Sequence, residues 1–176
     1  EAWDELEAGE KAVEEGEEAL NEAEEELNNA EEELKEAEKD LEEAEEDIPG
    51  QFDTMQTVLD AEIISVKKNI SQTEAEIGEL ESEIAELQTQ KEMMGNFWSP
   101  LQEAELVAKQ AELVQKQEEL NTYNNQLESY NKSLTDLEQQ EADVLAQLDG
   151  AKTQLETAKE QVFRNKTALE TTKDLM

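Results

Sequence analysis

The sequence predicts an all-α fold, an elongated antiparallel coiled-coil bundle of three long helices. Three observations predict it. Apolar residues recur every seven positions along most of the chain. Two breaks, at Pro49-Gly50 and between Gly95 and Pro100, interrupt that pattern. Only six glycines and two prolines are spread over 176 residues. With aromatics at 4%, turn formers are too few for a β-sandwich and rings too few for an ordinary globular core. The Ala/Glu/Lys/Leu/Gln bias is instead that of long helices. High charge with low hydrophobicity also describes disordered chains, so the sustained periodicity decides.

The first helix is expected over about 1–48. Leu6, Val13, Leu20, Leu27, Leu34, Leu41 and Ile48 stand seven apart, and Gly9, Gly16, Ala23, Ala30, Ala37 and Ala44 follow three residues after the first six. A large residue at one seam position and a small one at the other, held over six heptads, is a coiled-coil seam. The small residues permit close approach but bury little area, so this stripe needs bulkier partners.

Asp47-Ile48-Pro49-Gly50 ends that stripe in the sequence reading, because proline disfavours helix in the residue before it and Pro-Gly signals a turn. A second helix is expected over about 52–94, with Asp53 and Gln56 as a capping box. Its stripe is Leu59, Ile63, Val66, Ile70, Thr73, Ile77, Leu80, Ile84, Leu87 and Met94, with Lys91 interrupting. These bulkier, β-branched residues would cover the first helix.

Gly95 suits a helix C-terminus. Ser99 as N-cap, Pro100 at the first helical position and Gln102 three residues after the serine form a start signal. The third helix, about 100–176, carries Leu106, Leu113, Leu120, Leu127, Leu134, Glu141, Leu148, Leu155, Val162, Leu169 and Met176, again seven apart. Tyr123, Tyr130, Leu137, Val144, Ala151 and Ala158 are companion seam positions.

Helices 1 and 2 would each be roughly 65–70 Å long, and short connections make them antiparallel neighbours. The third would draw level with the Pro49-Gly50 turn near Asp149-Gly150. A turn there would give a four-helix bundle. Continuation, straight or kinked near Gly150, would leave the last ~40 Å projecting, in need of another chain. The heptad phase runs unbroken from Leu148 through Ala151 to Leu155, which favours continuity. Residues 1–176 read as one elongated domain.

Charge bounds the function. Forty-nine acidic residues oppose 14 basic ones, for a formal net charge of -35. Nucleic acid and anionic membrane surfaces would be repelled, so cations, or a basic partner, are the natural counterparts. No cysteine and no histidine are present. Disulfides, thiolate metal sites, a thiol nucleophile, the commonest general base and the commonest transition-metal ligand are therefore missing. There is no glycine-rich phosphate loop and no Ser-His-Asp set, so the chain reads as non-enzymatic with no required cofactor. No apolar run approaches the ~20 residues of a membrane span. A chain beginning Glu1-Ala2-Trp3 without an initiator methionine fits a fragment cut from a precursor and a trimmed chain equally.

Three kinds of candidate site remain. Helix 1 holds 24 of the 49 acids and three lysines. Runs that include Glu24, Glu25, Glu31 and Glu32 offer either a solvated face or diffuse, low-affinity Ca²⁺ binding, since calcium takes oxygen ligands in irregular geometry. No EF-hand loop occurs. Phe97 and Trp98, and Trp3 near the first residue, are either hydrophobic plugs over a bundle end or anchors inserted into a neighbouring molecule. Tyr123 and Tyr130 read as seam residues. Asn69-Ile70-Ser71, Asn131-Lys132-Ser133 and Asn165-Lys166-Thr167 match the N-glycosylation pattern, but all fall on expected helices.

The heptads from Leu6 to Ile48 and from Leu106 to Met176, the glutamate excess and the glutamine richness of residues 102–161 carry a family resemblance. In composition and architecture, over its whole length, the chain resembles the mature trichocyst matrix, or granule lattice, proteins of ciliates. The resemblance implies a chain cut from a larger precursor. It implies packing with itself or with homologous acidic chains into a crystalline secretory-granule core that expands when calcium arrives on exocytosis. It also implies storage in a granule and an extracellular fate after release. The residues themselves leave three readings open: a building block of a cation-sensitive matrix or filament, a coiled-coil adaptor that docks partner helices, and an acidic low-affinity calcium buffer.

Overall fold

The computed structural model describes residues 2–175. Met176, the last expected member of the third stripe, lies outside the described residues. Helix α1 runs Ala2–Met94, a 3-10 turn covers Gly95–Phe97, and helix α2 runs Pro100–Leu175. The expected three-helix bundle and its four-helix alternative are both corrected by this. The helices anticipated at 1–48 and 52–94 are one helix of 93 residues with Pro49 inside it.

The reason lies in the apolar stripe. Ile48, Phe52, Gln56 and Leu59 are all half-buried, at spacings of four, four and three. This is a four-residue insertion in the heptad pattern, which shifts the phase without leaving the face. A turn at Pro-Gly would remove Ile48 and Phe52 from that face and forfeit about 1–2 kcal/mol for each half-covered side chain. Keeping the helix costs one hydrogen bond, because Pro49 has no N–H to donate to the Glu45 carbonyl. Glu45 is exposed, so water can satisfy that carbonyl. Asp53 is not an N-cap: its carbonyl accepts a hydrogen bond from Thr57 Oγ1 at 2.8 Å, as in a helix interior.

The chain divides into two compact units, one of Glu1–Gly50 with Glu141–Met176 and one of Gln51–Gln140. The boundaries fall at Pro49-Gly50 on α1 and at Glu141, the charged member of the Leu106 stripe, on α2.

Within unit Gln51–Gln140 the two helices form a hairpin. All six buried side chains among the described residues are here: Ile63, Val66, Thr73, Leu80, Ile84 and Leu106. The turn is built as its residues predict. Gly95 takes φ 50°, the left-handed region that costs a side chain most, and its carbonyl accepts the Trp98 N–H at 3.2 Å. The Gln102 N–H donates to Ser99 Oγ at 3.2 Å and the Ser99 N–H to Gln102 Oε1 at 3.1 Å. This reciprocal capping box contributes about 1 kcal/mol. Lys91, which interrupts the stripe, reaches across the turn to Glu103 at 2.6 Å.

Unit Glu1–Gly50 with Glu141–Met176 is an antiparallel helix pair of different character. None of its described side chains is buried; Leu27, Leu34, Leu41 and Ile48 and their counterparts Leu148, Leu155, Val162 and Leu169 are half-buried. The expectation that the end of the chain projects without a partner is therefore corrected. Since α1 does not fold back at Pro49, its first half is left for residues 141–175 to cover. Helix α2 passes through Gly150 without a break, in keeping with its unbroken phase.

Candidate interaction surfaces

Four lysines on α2, Lys152, Lys159, Lys166 and Lys173, stand one heptad apart and follow the small seam residues Ala151, Ala158, Asn165 and Thr172. Opposite them on α1, Glu45, Glu38, Glu31 and Glu24 follow Ala44, Ala37, Ala30 and Ala23. Each lysine pairs with one glutamate. Lys152 lies 2.8 Å from Glu45 and Lys166 2.6 Å from Glu31, and the pairs Lys159–Glu38 and Lys173–Glu24 complete the ladder. Lys166 holds the Glu31 carboxyl below its ordinary range through that hydrogen bond. Glu45 and Glu38 raise Lys152 and Lys159 above theirs.

The opposite flank of the same helix pair is different. Glu26, Glu33, Asp40 and Asp47 immediately precede Leu27, Leu34, Leu41 and Ile48. The matching α2 positions, preceding Leu148, Leu155, Val162 and Leu169, are Gln147, Gln154, Gln161 and Ala168. These four acids are exposed, and among the described residues none of them pairs with a lysine. A groove of about 680 Å³ opens on this flank, floored by Leu27, Val162 and Leu169 with the small or polar seam residues Asn165 and Thr172, and rimmed by Glu26 and Gln161. Small residues on both helices leave it open.

Unit Gln51–Gln140 has its own ion pairs, Lys109 with Glu83 and Lys116 with Glu76, both at 2.6 Å. Lys116 also pairs with Glu119 at 3.0 Å, which in turn accepts a hydrogen bond from the half-buried Tyr123 hydroxyl at 3.1 Å. Lys116 holds the carboxyls of Glu76 and Glu119 below their ordinary range, and Glu119 pushes the Tyr123 hydroxyl up. Val107 and Val114 are exposed, about 100° round the helix from Leu106 and Leu113.

The residues singled out from the sequence fall as follows. Of the four candidate metal carboxylates, Glu24 and Glu31 are rungs of the lysine ladder, while Glu25 and Glu32 are exposed beside them. Among the described residues no group of three or more carboxylates converges closely enough to hold a metal ion. Phe97 is 86% exposed and Trp3 82%. Trp98 is half-buried, and its Nε1–H donates to Glu103 Oε2 at 2.8 Å. The three Asn-x-Ser/Thr asparagines lie within α1 and α2. No helix among the described residues is long and apolar enough to cross a membrane.

The lysine ladder and the open flank were not read from the sequence. Their signal is four lysines at spacing seven in a chain otherwise short of cations. Comparison with known proteins gives no match among family models, curated proteins or solved structures.

Proposed function

We propose that this chain is a non-enzymatic structural protein, a helix-pair building block that packs lengthwise against its own copies or similar acidic chains. Cations set that packing by screening the carboxylates. The observation that carries this reading is how little surface the chain covers by itself. It exposes 13216 Å², against about 8,700 Å² expected for a compact monomer of 19.9 kDa. Exposed Phe97, Val107 and Val114 supply apolar contact area on the outside of the pair. A net charge of -35 opposes close packing until counterions or protons reduce it. Ca²⁺ acts in this reading as a diffuse counterion and not as a ligand of one site. Storage in a secretory granule and release to the outside, in the manner of trichocyst matrix proteins, is the cellular setting that suits such a block.

The test is light scattering and small-angle scattering of the purified chain, titrated with millimolar Ca²⁺ and, separately, with acid. Growth of ordered assemblies under either titration, reversed by chelator or base, is expected. Scattering that stays that of single chains throughout would end the proposal.

A further inference from the structure

We infer that the open flank of the Glu1–Gly50 and Glu141–Met176 unit is a docking groove for a basic amphipathic helix of another protein, one that places lysine or arginine at every seventh position. This goes beyond the self-packing proposed above and does not depend on it.

The inference rests on an asymmetry within one helix pair. Both flanks of the seam carry a row of acids on α1. On the first flank, Glu24, Glu31, Glu38 and Glu45 each meet a lysine of α2. On the second, Glu26, Glu33, Asp40 and Asp47 face glutamines and an alanine, and among the described residues none of these four carries an ion pair. The groove of about 680 Å³ lies on this second flank only where the seam is thinnest, between Ala23 and Ala30 on α1 and Ala158 and Thr172 on α2. Leu27, Val162 and Leu169 on its floor are apolar and half-buried, with the polar Asn165 and Thr172 exposed among them, and such a floor can receive the hydrophobic face of a helix.

Charge decides the occupant. This unit holds 31 acidic and eight basic residues, a formal charge of -23, so another acidic helix is repelled. This chain's own heptad-spaced lysines are committed to the first flank. A foreign helix with leucines on one face and a lysine beside each would set its apolar residues on Leu27, Val162 and Leu169. Its cations would then lie along Glu26 and Glu33, repeating on the second flank what the ladder does on the first. The 15 α2 residues from Ala158 to Thr172 that line the groove span about 20 Å, so two to three heptads suffice.

The experiment uses the full 176-residue chain in calcium-free buffer, at a concentration where light scattering reads single chains. The probe is a synthetic 21-residue helix with leucine at each seam position and lysine beside it. A scrambled peptide of identical composition serves as the control. One-to-one binding of the heptad peptide, at least tenfold tighter than the scrambled one in a fluorescence titration, is expected. Ala168→Trp, which fills the groove from an exposed position, should abolish the preference without changing the circular dichroism. Glu26→Gln with Glu33→Gln and Asp40→Asn should weaken binding about tenfold. The same number of neutralisations on the outer face, Glu25→Gln with Glu32→Gln and Glu36→Gln, should change it less than twofold. Equal binding of the scrambled peptide, several peptides per chain, or equal losses from the two sets of neutralisations would overturn the inference and leave only general attraction to a polyanion.

Discussion

Lys166 Nζ lies 2.6 Å from Glu31 Oε2 although 135 residues separate them in the chain. This is one rung of a ladder that repeats every heptad and sets which flank of α2 stands beside which flank of α1. Charged flanking positions set orientation in such pairs.

Reversing two rungs tests the ladder. Lys159→Glu with Lys166→Glu is expected to lower hydrogen-exchange protection across 24–48 and 148–173 while leaving 60–90 unchanged. Adding Glu31→Lys and Glu38→Lys should restore it. Exchange measured by mass spectrometry reads all three regions at once.

The ion pairs also carry a pH dependence. Glu31, Glu76, Glu103 and Glu119 are each held below the ordinary carboxylate value of 4.5, first by a hydrogen bond from Lys166, Lys116, Lys91 and Lys116 respectively. A carboxyl with a depressed folded-state value contributes stability that is present above 4.5 and lost as pH falls through its folded value. Lys116 is raised above 10.5 by Glu76 and Glu119, so its contribution is present below 10.5 and lost as pH climbs through the folded value. The stability difference between the parent chain and Lys116→Met should therefore be a plateau from about pH 5 to 10 that shrinks at both ends. Urea denaturation across that range measures it.

Burial separates the two units energetically. Leu106 is buried, and Leu106→Ala should cost about 2–4 kcal/mol. Leu27 sits in the thin seam and is only half-buried, so Leu27→Ala should cost about half as much. Chemical denaturation followed by exchange in each segment distinguishes the two losses.

Pro49 is the costly residue of α1. Replacing it with alanine restores a donor to the Glu45 carbonyl and should stabilise the chain by about 1–3 kcal/mol. Helical circular dichroism should be unchanged or slightly increased. Were Pro49 in a turn between two helices, the same replacement would be neutral or destabilising.

Much of this was legible in the residues. The turn was, because Gly95, Ser99, Pro100 and Gln102 each have one role that fits their neighbours, and the structure uses all four so. The leucine stripes were, and so was the continuity of α2 through Gly150, where the phase never shifts. The continuity of α1 was hidden by a competition. Pro49-Gly50 is a strong local turn signal, while the opposing signal, Phe52 bridging Ile48 and Leu59 at spacings of four, appears only when an insertion in the heptad is allowed. The partner of residues 1–50 was hidden for a different reason. Glutamate occupies so many positions there that it marks no one face, and only the lysines at 152, 159, 166 and 173 do. Once α1 is read as continuous, those lysines have one acidic row to meet.

The pairing of residues 24–48 with 148–173 is tested most directly by a distance between spin labels at Glu32→Cys and Thr167→Cys, unique sites in a chain without cysteine. Both positions adjoin the Lys166–Glu31 rung. Two helices packed 8–10 Å apart put such labels within about 25 Å of each other, and that is the predicted result. A fold in which the chain turns back at Pro49 while α2 runs straight through Gly150 would carry the two positions away from the turn in opposite directions. A distance near 50 Å would then be measured, and would contradict the two-helix architecture and the surfaces that follow from it.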